Sequence, residues 1–379
     1  MAFLLVPAAA FTLVTFVLAV LWRLGLALFR RSAPGYWRRT LAWHAGLFVV
    51  HVFVTVPLVL GYLFSRAGGT RRDEAAYAGP RIAADGTWLV QTRESLAAEK
   101  LGKAEVDSAV ADGAARRAVS LTARDGVKLR AFLVPPPTPP PDGAPRFVAV
   151  LVHGLFRGAL EIETPGRMLR ELGGEVLLLE LRNHGGSARA KPTFGLDESL
   201  DVLAAVEFLR ARPEARGRPL VLYAVSLGTA AAALAAPLIL DLAGLVLDAP
   251  MDDLGATARH ELATGGFWQS IREPWASTIL WSAQHLGGVP VQEVKPRDGL
   301  AKLPPDVVVL FIGAGRDDRM PPESVRALFD ALPTAPGRKE LWIEPEATHG
   351  KVWLAAPEEY RRRLAHFCEG IVDRWTRPS

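Results

Sequence analysis

The stretch from Leu220 to Gly228 reads LVLYAVSLG, and the rest of the chain is organised around it. A mostly apolar run ends at Ser226, and small residues follow at once: Gly228, Thr229 and six alanines up to position 236, with one leucine among them. This pattern predicts a buried strand that breaks sharply into a helix, with a serine at the break. Ala224 and Gly228, two positions before and after the serine, suit such an elbow because larger side chains would collide there.

The elbow predicts a nucleophilic serine, although its first small residue is alanine where glycine is more usual. The alternative is a serine that caps an ordinary turn between a strand and a helix. The residues at the other strand ends decide between these two interpretations.

Apolar runs alternate with helical patterns on both sides of the elbow. Strands are predicted at 147–152, 175–181, 220–225, 245–247, 307–312 and 341–343, and a hairpin around Asp125-Gly126 precedes them. Continuous apolar strands separated by helices indicate an α/β fold with a mostly parallel sheet covered on both faces. The working residues of such a sheet lie beyond the carboxyl ends of its strands.

Carboxylates follow two of these strands. Asp317 and Asp318 come after the strand at 307–312 and before Pro321, so that a carboxylate lies at the sheet edge. Turn formation and helix capping are the alternative uses of an Asp-Asp pair. Asp248, at the end of another strand, is the next candidate for a catalytic acid.

A histidine follows the last strand: His349 precedes Gly350 in a loop. A serine hydroxyl needs a base to accept its proton, and this architecture places the residues in the order serine, acid, histidine. His349 is therefore the candidate base, and a structural loop histidine is the alternative. The oxyanion donors are expected to be the backbone N–H groups of Leu227, which begins the helix after the serine, and Leu155, which follows His153-Gly154.

The motifs occur together between about 119 and 375: LVHG at 151–154, RNHGGS at 182–187, AVSLG at 224–228, DDRMP at 317–321 and THG at 348–350. With them the chain resembles the α/β-hydrolase superfamily. The resemblance implies an α/β-hydrolase fold with a small helical lid at about 250–305 and a structural role for the RNHGGS loop. It also implies a Ser226–His349–Asp317 triad, with Asp318 as the second choice for the acid.

The N-terminal region has a different composition. Residues 2–22 and 41–65 carry no charge, taking histidine as neutral, and each run reaches the roughly 20 residues that a helix needs to cross a bilayer. We predict two transmembrane helices in 1–65, a tether in 66–117 and the hydrolase domain in 118–379. The alternative for the first segment is a buried helical pair in a soluble protein.

The arginines around these runs give only a small asymmetry. The loop between them holds Arg30, Arg31, Arg38 and Arg39, whereas the exit holds Arg66, Arg71 and Arg72. By one arginine, this favours a cytoplasmic loop, with both termini and the hydrolase domain outside. His44 and His51 lie seven residues apart and could share a helix face. We expect neutral histidines there, with a haem or proton-relay role as the alternative.

Composition excludes several other classes. The net charge is only +4, and no long basic run provides a nucleic-acid surface. The single cysteine, Cys368, excludes an intramolecular disulfide and a multi-cysteine zinc site. We expect no cofactor and no metal.

The sequence therefore predicts a membrane-anchored serine hydrolase that forms an acyl-enzyme on Ser226. The expected substrate is a small-molecule or lipid-like ester with an apolar acyl group, because the lid segment contains aromatic and aliphatic residues: Phe267, Trp268, Trp275, Ile279, Leu280 and Trp281. These residues could equally pack a helical cap. A peptidase or thioesterase on the same triad remains open, as do a cofactor-free peroxidase or lyase and a non-catalytic binding module.

Overall fold

A computed structural model describes residues 17, 20–21, 25, 36–67, 87–88, 116–137, 145–263, 269–334 and 337–376. The chain divides into two compact units. One unit contains the described residues up to Ala67 together with Ala258–Val291, and the other contains the rest. Residues 89–115 of the predicted tether and 264–268 of the predicted lid, with Phe267 and Trp268, lie outside the described residues.

Nine strands in the described part of the chain form one sheet. They are β1 (Thr87–Trp88), β2 (Arg116–Thr122), β3 (Lys128–Val134), β4 (Phe147–Val152), β5 (Gly174–Leu179), β6 (Leu220–Val225), β7 (Leu242–Asp248), β8 (Val308–Ala314) and β9 (Lys339–Glu344).

The order of the strands in space is β1-β2-β3-β5-β4-β6-β7-β8-β9. The pairs β1–β2, β2–β3 and β3–β5 are antiparallel, and all pairs from β5 to β9 are parallel. The predicted mostly parallel α/β sheet is thus confirmed, as is the hairpin around Gly126, whose φ of +87° suits a glycine. The elbow strand β6 lies between β4 and β7, so the loops that follow these three strands meet at one edge.

Eleven α-helices are described. They are α1 (Tyr36–Val50), α2 (Val56–Ala67), α3 (Glu163–Glu171), α4 (Glu198–Ala211), α5 (Leu227–Ala235), α6 (Leu254–Ala263), α7 (Gln269–His285), α8 (Pro296–Leu300), α9 (Pro322–Ala331), α10 (Val352–Ala355) and α11 (Pro357–Thr376).

Both faces of the sheet are covered by apolar side chains, as continuous apolar strands require. On one face, alternate strand residues such as Leu222 and Phe311 pack with residues of α4, α5 and α9. On the other face, residues such as Val246 and Leu310 pack with α3, α10 and α11. Cys368 is buried in this second cluster, which explains why a lone thiol occurs on the terminal helix.

The RNHGGS loop follows β5 and is tied to the protein on both sides. The Arg182 guanidinium is buried and pairs with Asp201 of α4 and with Asp125 of the hairpin turn, each at 2.7 Å. Asp201 also accepts the Arg182 backbone N–H. These contacts connect the hairpin, the loop and α4 around one buried cation.

The smaller unit is helical. The helices α1 and α2 are joined by a π-helical turn at His51–Thr55, and α7 packs along α2. Ala42–Arg66 is a continuous helix of 25 residues that is long and apolar enough to cross a membrane, by length and composition, and only 22% of its most apolar window is buried. Its uncovered residues include Trp43, Phe48 and Val54. The predicted second membrane helix coincides with this segment. The first lies outside the described residues, apart from residues 17, 20 and 21.

The unit boundaries differ from the predicted domain boundaries in two places. Thr87–Trp88 lies inside the segment predicted as a tether, yet it pairs with β2 at the sheet edge. A two-residue strand has no periodicity that a sequence could reveal. The segment predicted as a lid contains the helices α6, α7 and α8, but its residues 258–291 belong to the unit of the apolar N-terminal helix.

Candidate active site

The elbow at Ser226 has the backbone that the sequence pattern predicts. Ser226 follows β6 directly and has φ +52° and ψ −122°, a backbone conformation that residues other than glycine rarely adopt. Helix α5 begins at the next residue, Leu227. A Cβ on Gly228 would lie 2.7 Å from the carbonyl oxygens of Val152 and His153, so only glycine fits there. The elbow therefore presents the Ser226 side chain at the sheet edge, where it is partly exposed.

Hydrogen bonds from neighbouring elements hold the strained residue in place. The Ser226 N–H donates to the Asp248 carbonyl at 2.9 Å. The Ser226 carbonyl accepts both the N–H and the hydroxyl of Thr229, and the Thr229 hydroxyl oxygen also accepts the N–H of Met251. Because such a backbone costs on the order of 1–3 kcal/mol, it persists only where surrounding contacts determine it, as they do here.

The predicted base and acid lie in line with the serine. His349 Nε2 is 2.8 Å from Ser226 Oγ, and His349 Nδ1 is 2.8 Å from Asp317 Oδ2. The other carboxylate oxygen of Asp317 accepts the backbone N–H groups of Arg319 and Met320 at 2.9 and 3.0 Å. The Asp317 side chain is fully buried. The three groups thus form one hydrogen-bonded chain.

The two alternative acids are placed elsewhere. Asp318 is exposed, whereas Asp317 faces His349. Asp248 is fully buried, and its Oδ2 accepts hydrogen bonds from Tyr360 at 2.8 Å and from Tyr223 at 3.4 Å. Burial raises the pKa of Asp248 from an ordinary value of 3.8 to about 6, although the Tyr360 hydrogen bond opposes the shift. This pair of tyrosines was not predictable from the sequence, because Tyr223 fits an apolar strand run.

The tyrosines behind the elbow form a closed group with Asp248. Their hydroxyl oxygens are 2.7 Å apart, and both side chains are buried. Burial and the nearby Asp248 charge raise the pKa of each tyrosine well above 10, so both remain protonated donors. Residues from β6, β7 and α11 are thereby linked by buried hydrogen bonds.

Backbone N–H groups suited to an oxyanion occur on both sides of Ser226. Leu227 is the first residue of α5, so its N–H has no acceptor within the helix. In the loop after β4, Gly154 donates to Glu161 at 2.6 Å and Phe156 donates to His184 Nε2 at 3.2 Å. The Leu155 N–H has no acceptor among the residues that the structure describes. Leu227 and Leu155 therefore stay the predicted oxyanion donors.

Two histidines position this loop. His153 Nδ1 bonds to the Gly154 carbonyl at 2.7 Å, and its Nε2 accepts the Leu181 N–H at 3.2 Å. Burial, with the neighbouring His184, lowers the pKa of His153 to about 3. His184 Nδ1 bonds to the Arg182 carbonyl, which leaves its Nε2 as the acceptor for Phe156. Both rings are structural groups of the loop.

Glu161 is a site residue that the sequence analysis missed. It lies in a 3-10 turn, Ala159–Ile162, and its carboxylate accepts the Gly154 N–H. Its side chain is only 11% exposed, and burial raises the pKa of its carboxyl. The one available signal was a charge between the apolar residues Leu160 and Ile162 shortly after the LVHG motif.

A strained serine at a strand–helix elbow, with a histidine and a buried carboxylate from later strand ends, defines a hydrolase of the α/β class. The chain belongs to the alpha/beta hydrolase family, whose model matches residues 149–363. That range begins in β4 and ends in α11, so it includes the serine, the acid and the histidine.

Similar proteins share this fold. An esterase from Pyrococcus furiosus superposes with a TM-score of 0.54 at 20% identity, covering 68% of this chain and 92% of the esterase. An acylaminoacyl peptidase from Pyrococcus horikoshii superposes with a TM-score of 0.50 at 15% identity, covering 67% of this chain and 41% of the peptidase. The uncharacterized protein YqkD of Bacillus subtilis (strain 168) is 25% identical over 230 residues, which are 59% of this chain and 72% of YqkD.

Proposed function

We propose that this protein is a serine hydrolase that cleaves an ester with an apolar acyl group through an acyl-enzyme on Ser226. The observation that carries the proposal is the continuous hydrogen-bonded chain from Ser226 through His349 to Asp317, with both distances at 2.8 Å. A serine hydroxyl becomes nucleophilic when a positioned base accepts its proton and a carboxylate orients that base.

In the first half of the reaction, His349 Nε2 takes the hydroxyl proton while Ser226 Oγ bonds to the acyl carbon. The carbonyl electron pair moves onto its oxygen, where the N–H groups of Leu227 and Leu155 stabilise the charge. Collapse of this intermediate breaks the bond to the leaving alcohol, which takes the proton from His349. Asp317 stays ionised throughout, fixes the histidine tautomer and stabilises the imidazolium.

In the second half, water replaces the alcohol. His349 takes a proton from the water as its oxygen bonds to the acyl carbon, and the same two N–H groups hold the second oxyanion. Collapse releases the carboxylic acid and returns the proton to Ser226 Oγ. The chain therefore needs no cofactor for either half of this proposed cycle.

An apolar acyl group is supported by the residues beside the nucleophile. Phe156 is 46% exposed and has φ +59° in the loop that carries the Leu155 donor, so an aromatic ring lies uncovered beside that donor. Leu155 itself is partly exposed. Uncovered apolar side chains of this kind favour binding of an apolar group.

The reaction is tested with p-nitrophenyl esters of increasing chain length, beside a thioester and a peptide p-nitroanilide. We expect the highest kcat/KM for an ester and a rise with acyl length, because each buried methylene contributes about 0.8 kcal/mol. A preference for the thioester or the peptide would assign the alternative activity on the same triad. No turnover of any of them would favour a non-catalytic binding module.

We further propose that the helix Ala42–Arg66 anchors the protein in a membrane. Its length and its uncovered apolar residues support this, and the apolar run at 2–22 would supply a second span. Alkaline carbonate extraction of membranes should leave the full chain in the pellet. Protease treatment of sealed vesicles should degrade the hydrolase domain from the side opposite Arg38 and Arg39, which precede the apolar part of this helix. Extraction by carbonate alone would contradict the anchor.

A further inference from the structure

The loop between β4 and α3 leaves one N–H group without a protein acceptor. Its neighbours are bonded: Gly154 to the Glu161 carboxylate, Phe156 to His184 and Arg157 to the Gly154 carbonyl. Among the residues that the structure describes, the Leu155 N–H alone in this run from 154 to 157 has no acceptor. The position of this N–H is therefore set by the bonds on either side of it.

Of these bonds, the one from Gly154 to Glu161 is the shortest, at 2.6 Å. A point at the position of a Cβ on residue 154 would lie 3.1 Å from Glu161 Oε2 and 3.2 Å from Ser226 Cβ. The Glu161 carboxylate and the nucleophile thus approach the same glycine. A carboxylate that accepts a backbone N–H makes a charge-assisted bond, roughly twice as strong as a neutral one.

A purely structural ion pair does not explain Glu161. Its partner Arg157 lies 3.4 Å away and is 31% exposed, and a pair of this kind contributes about 0–1 kcal/mol. Burying a carboxylate has a cost that this pair would not offset. The hydrogen bond from the Gly154 N–H is shorter than this ion pair, so it is the main interaction of the Glu161 carboxylate.

We propose that Glu161 is a positioning residue of the oxyanion hole: its carboxylate fixes the Gly154 amide and thereby holds the Leu155 N–H free beside Ser226. Glu161 itself does not touch the reacting atoms. This inference rests on the proposed function, because an oxyanion forms only if Ser226 is the nucleophile.

Two substitutions at residue 161 separate this role from general stability. Glu161→Ala removes the acceptor for Gly154, whereas Glu161→Gln keeps an amide oxygen there and removes only the charge. Glu171→Ala is the matched control, since Glu171 ends α3 and its exposed carboxylate pairs with Arg361. All four proteins are purified as full chains and compared for circular dichroism and thermal unfolding before the kinetics.

We expect Glu161→Ala to lower kcat for p-nitrophenyl butyrate by about 10- to 100-fold with KM changed less than about threefold, since loss of a whole donor lowers kcat by about 10²–10³. Glu161→Gln should lose less kcat than Glu161→Ala, because its amide oxygen still accepts from Gly154 although the charge is gone. Glu171→Ala should keep kcat within about threefold of the wild type, because Glu171 is exposed at the end of α3. Hydrogen exchange in a peptide covering 153–158 should accelerate in Glu161→Ala only.

The outcomes are distinct. A wild-type chain that reacts with a fluorophosphonate, beside an equally active Glu161→Ala, would overturn this inference and leave the proposed function intact. An equal loss in Glu161→Gln and Glu161→Ala, or an effect on KM alone, would also overturn it. A wild-type chain that neither reacts nor hydrolyses the ester would overturn the proposed function and this inference with it.

Discussion

Gly228 in the elbow and Gly61 in the apolar helix both lie where a side-chain carbon has no room. A Cβ on Gly228 would lie 2.7 Å from two carbonyl oxygens of the loop after β4, and a Cβ on Gly61 would lie 2.2 Å from the Ile279 carbonyl oxygen of α7. The elbow combines this close approach with a strained serine at φ +52°. In the helix pair, Gly61 lies in a regular helix.

The helix pair has its own internal bond, from Ser282 Oγ to the Leu58 carbonyl at 2.6 Å, and small residues meet again where Gly287 approaches Ser65. These contacts are of the kind that holds apolar helices together. Close backbone approach is therefore common to both regions and does not identify function. Strain at a polar, partly exposed side chain distinguishes the elbow.

The largest effect is expected at Ser226. Ser226→Ala and Ser226→Gly should both lower ester hydrolysis by at least about 10⁴-fold, because the nucleophile is lost. Ser226→Gly should in addition raise the free energy of unfolding by about 1 kcal/mol relative to Ser226→Ala, since glycine relieves the positive φ. Urea unfolding of the two variants checks this. Equal free energies of unfolding for Ser226→Gly and Ser226→Ala would show that the backbone at Ser226 is not strained.

The next effect is expected at the acid. Asp317→Asn should lower kcat by about 10³–10⁴-fold, because an amide cannot fix the histidine tautomer or stabilise its cation. Asp318→Asn is the matched control, since Asp318 is exposed and does not face His349. Steady-state kinetics on one ester compares the two. A larger loss of kcat in Asp318→Asn than in Asp317→Asn would show that Asp318, and not Asp317, is the acid.

Asp248, beside the elbow, should make the free energy of unfolding depend on pH. Its folded-state pKa of about 6 lies above its ordinary 3.8, so its contribution to stability is complete below pH 3.8 and is lost as the pH rises through about 6. The shift corresponds to about 3 kcal/mol. Between pH 4 and pH 7, the free energy of unfolding of Asp248→Asn should therefore rise by about 3 kcal/mol relative to that of the wild type.

Urea unfolding of both proteins at pH 4, 5, 6 and 7 measures that gain. A difference between variant and wild type that stays constant with pH would show that Asp248 does not titrate in this range. The Tyr360 hydroxyl should still donate to the asparagine carbonyl, so the fold behind the elbow is preserved.

Gly228→Ala tests the close approach in the elbow directly. The added Cβ has to displace backbone at Val152 or His153, which we expect to cost about 1–3 kcal/mol of stability. Because the loop after His153 carries the Leu155 donor, kcat should fall as well. A variant with wild-type stability and kcat would contradict the packing described here.

Gly61→Ala is the counterpart in the helix pair and should have the smallest overall effect. Its Cβ would meet backbone of α7, so the α2–α7 contact should loosen at a cost of about 1–3 kcal/mol. Hydrogen exchange should accelerate in α2 and α7 while β6 keeps its protection. Unchanged exchange in both helices would show that they do not pack as closely as described.

Much of the fold was predictable from the sequence, because apolar periodicity indicates the strands and short motifs mark where they end. The elbow strand was predicted with its observed bounds, and Asp317 and His349 were found because they follow predicted strands. Glu161 and the tyrosine pair were missed, since their roles depend on contacts between segments distant in the chain. The packing of α2 on α7 was missed for the same reason, because small residues in a helix do not indicate which other helix packs against them.

Reaction of the purified full chain with a fluorophosphonate, followed by peptide mapping, tests directly whether Ser226 is the nucleophile. We expect one covalent adduct, on Ser226, that is absent from Ser226→Ala and forms much more slowly in Asp317→Asn. No adduct on a folded wild-type chain, or an adduct on another residue that persists in Ser226→Ala, would contradict it.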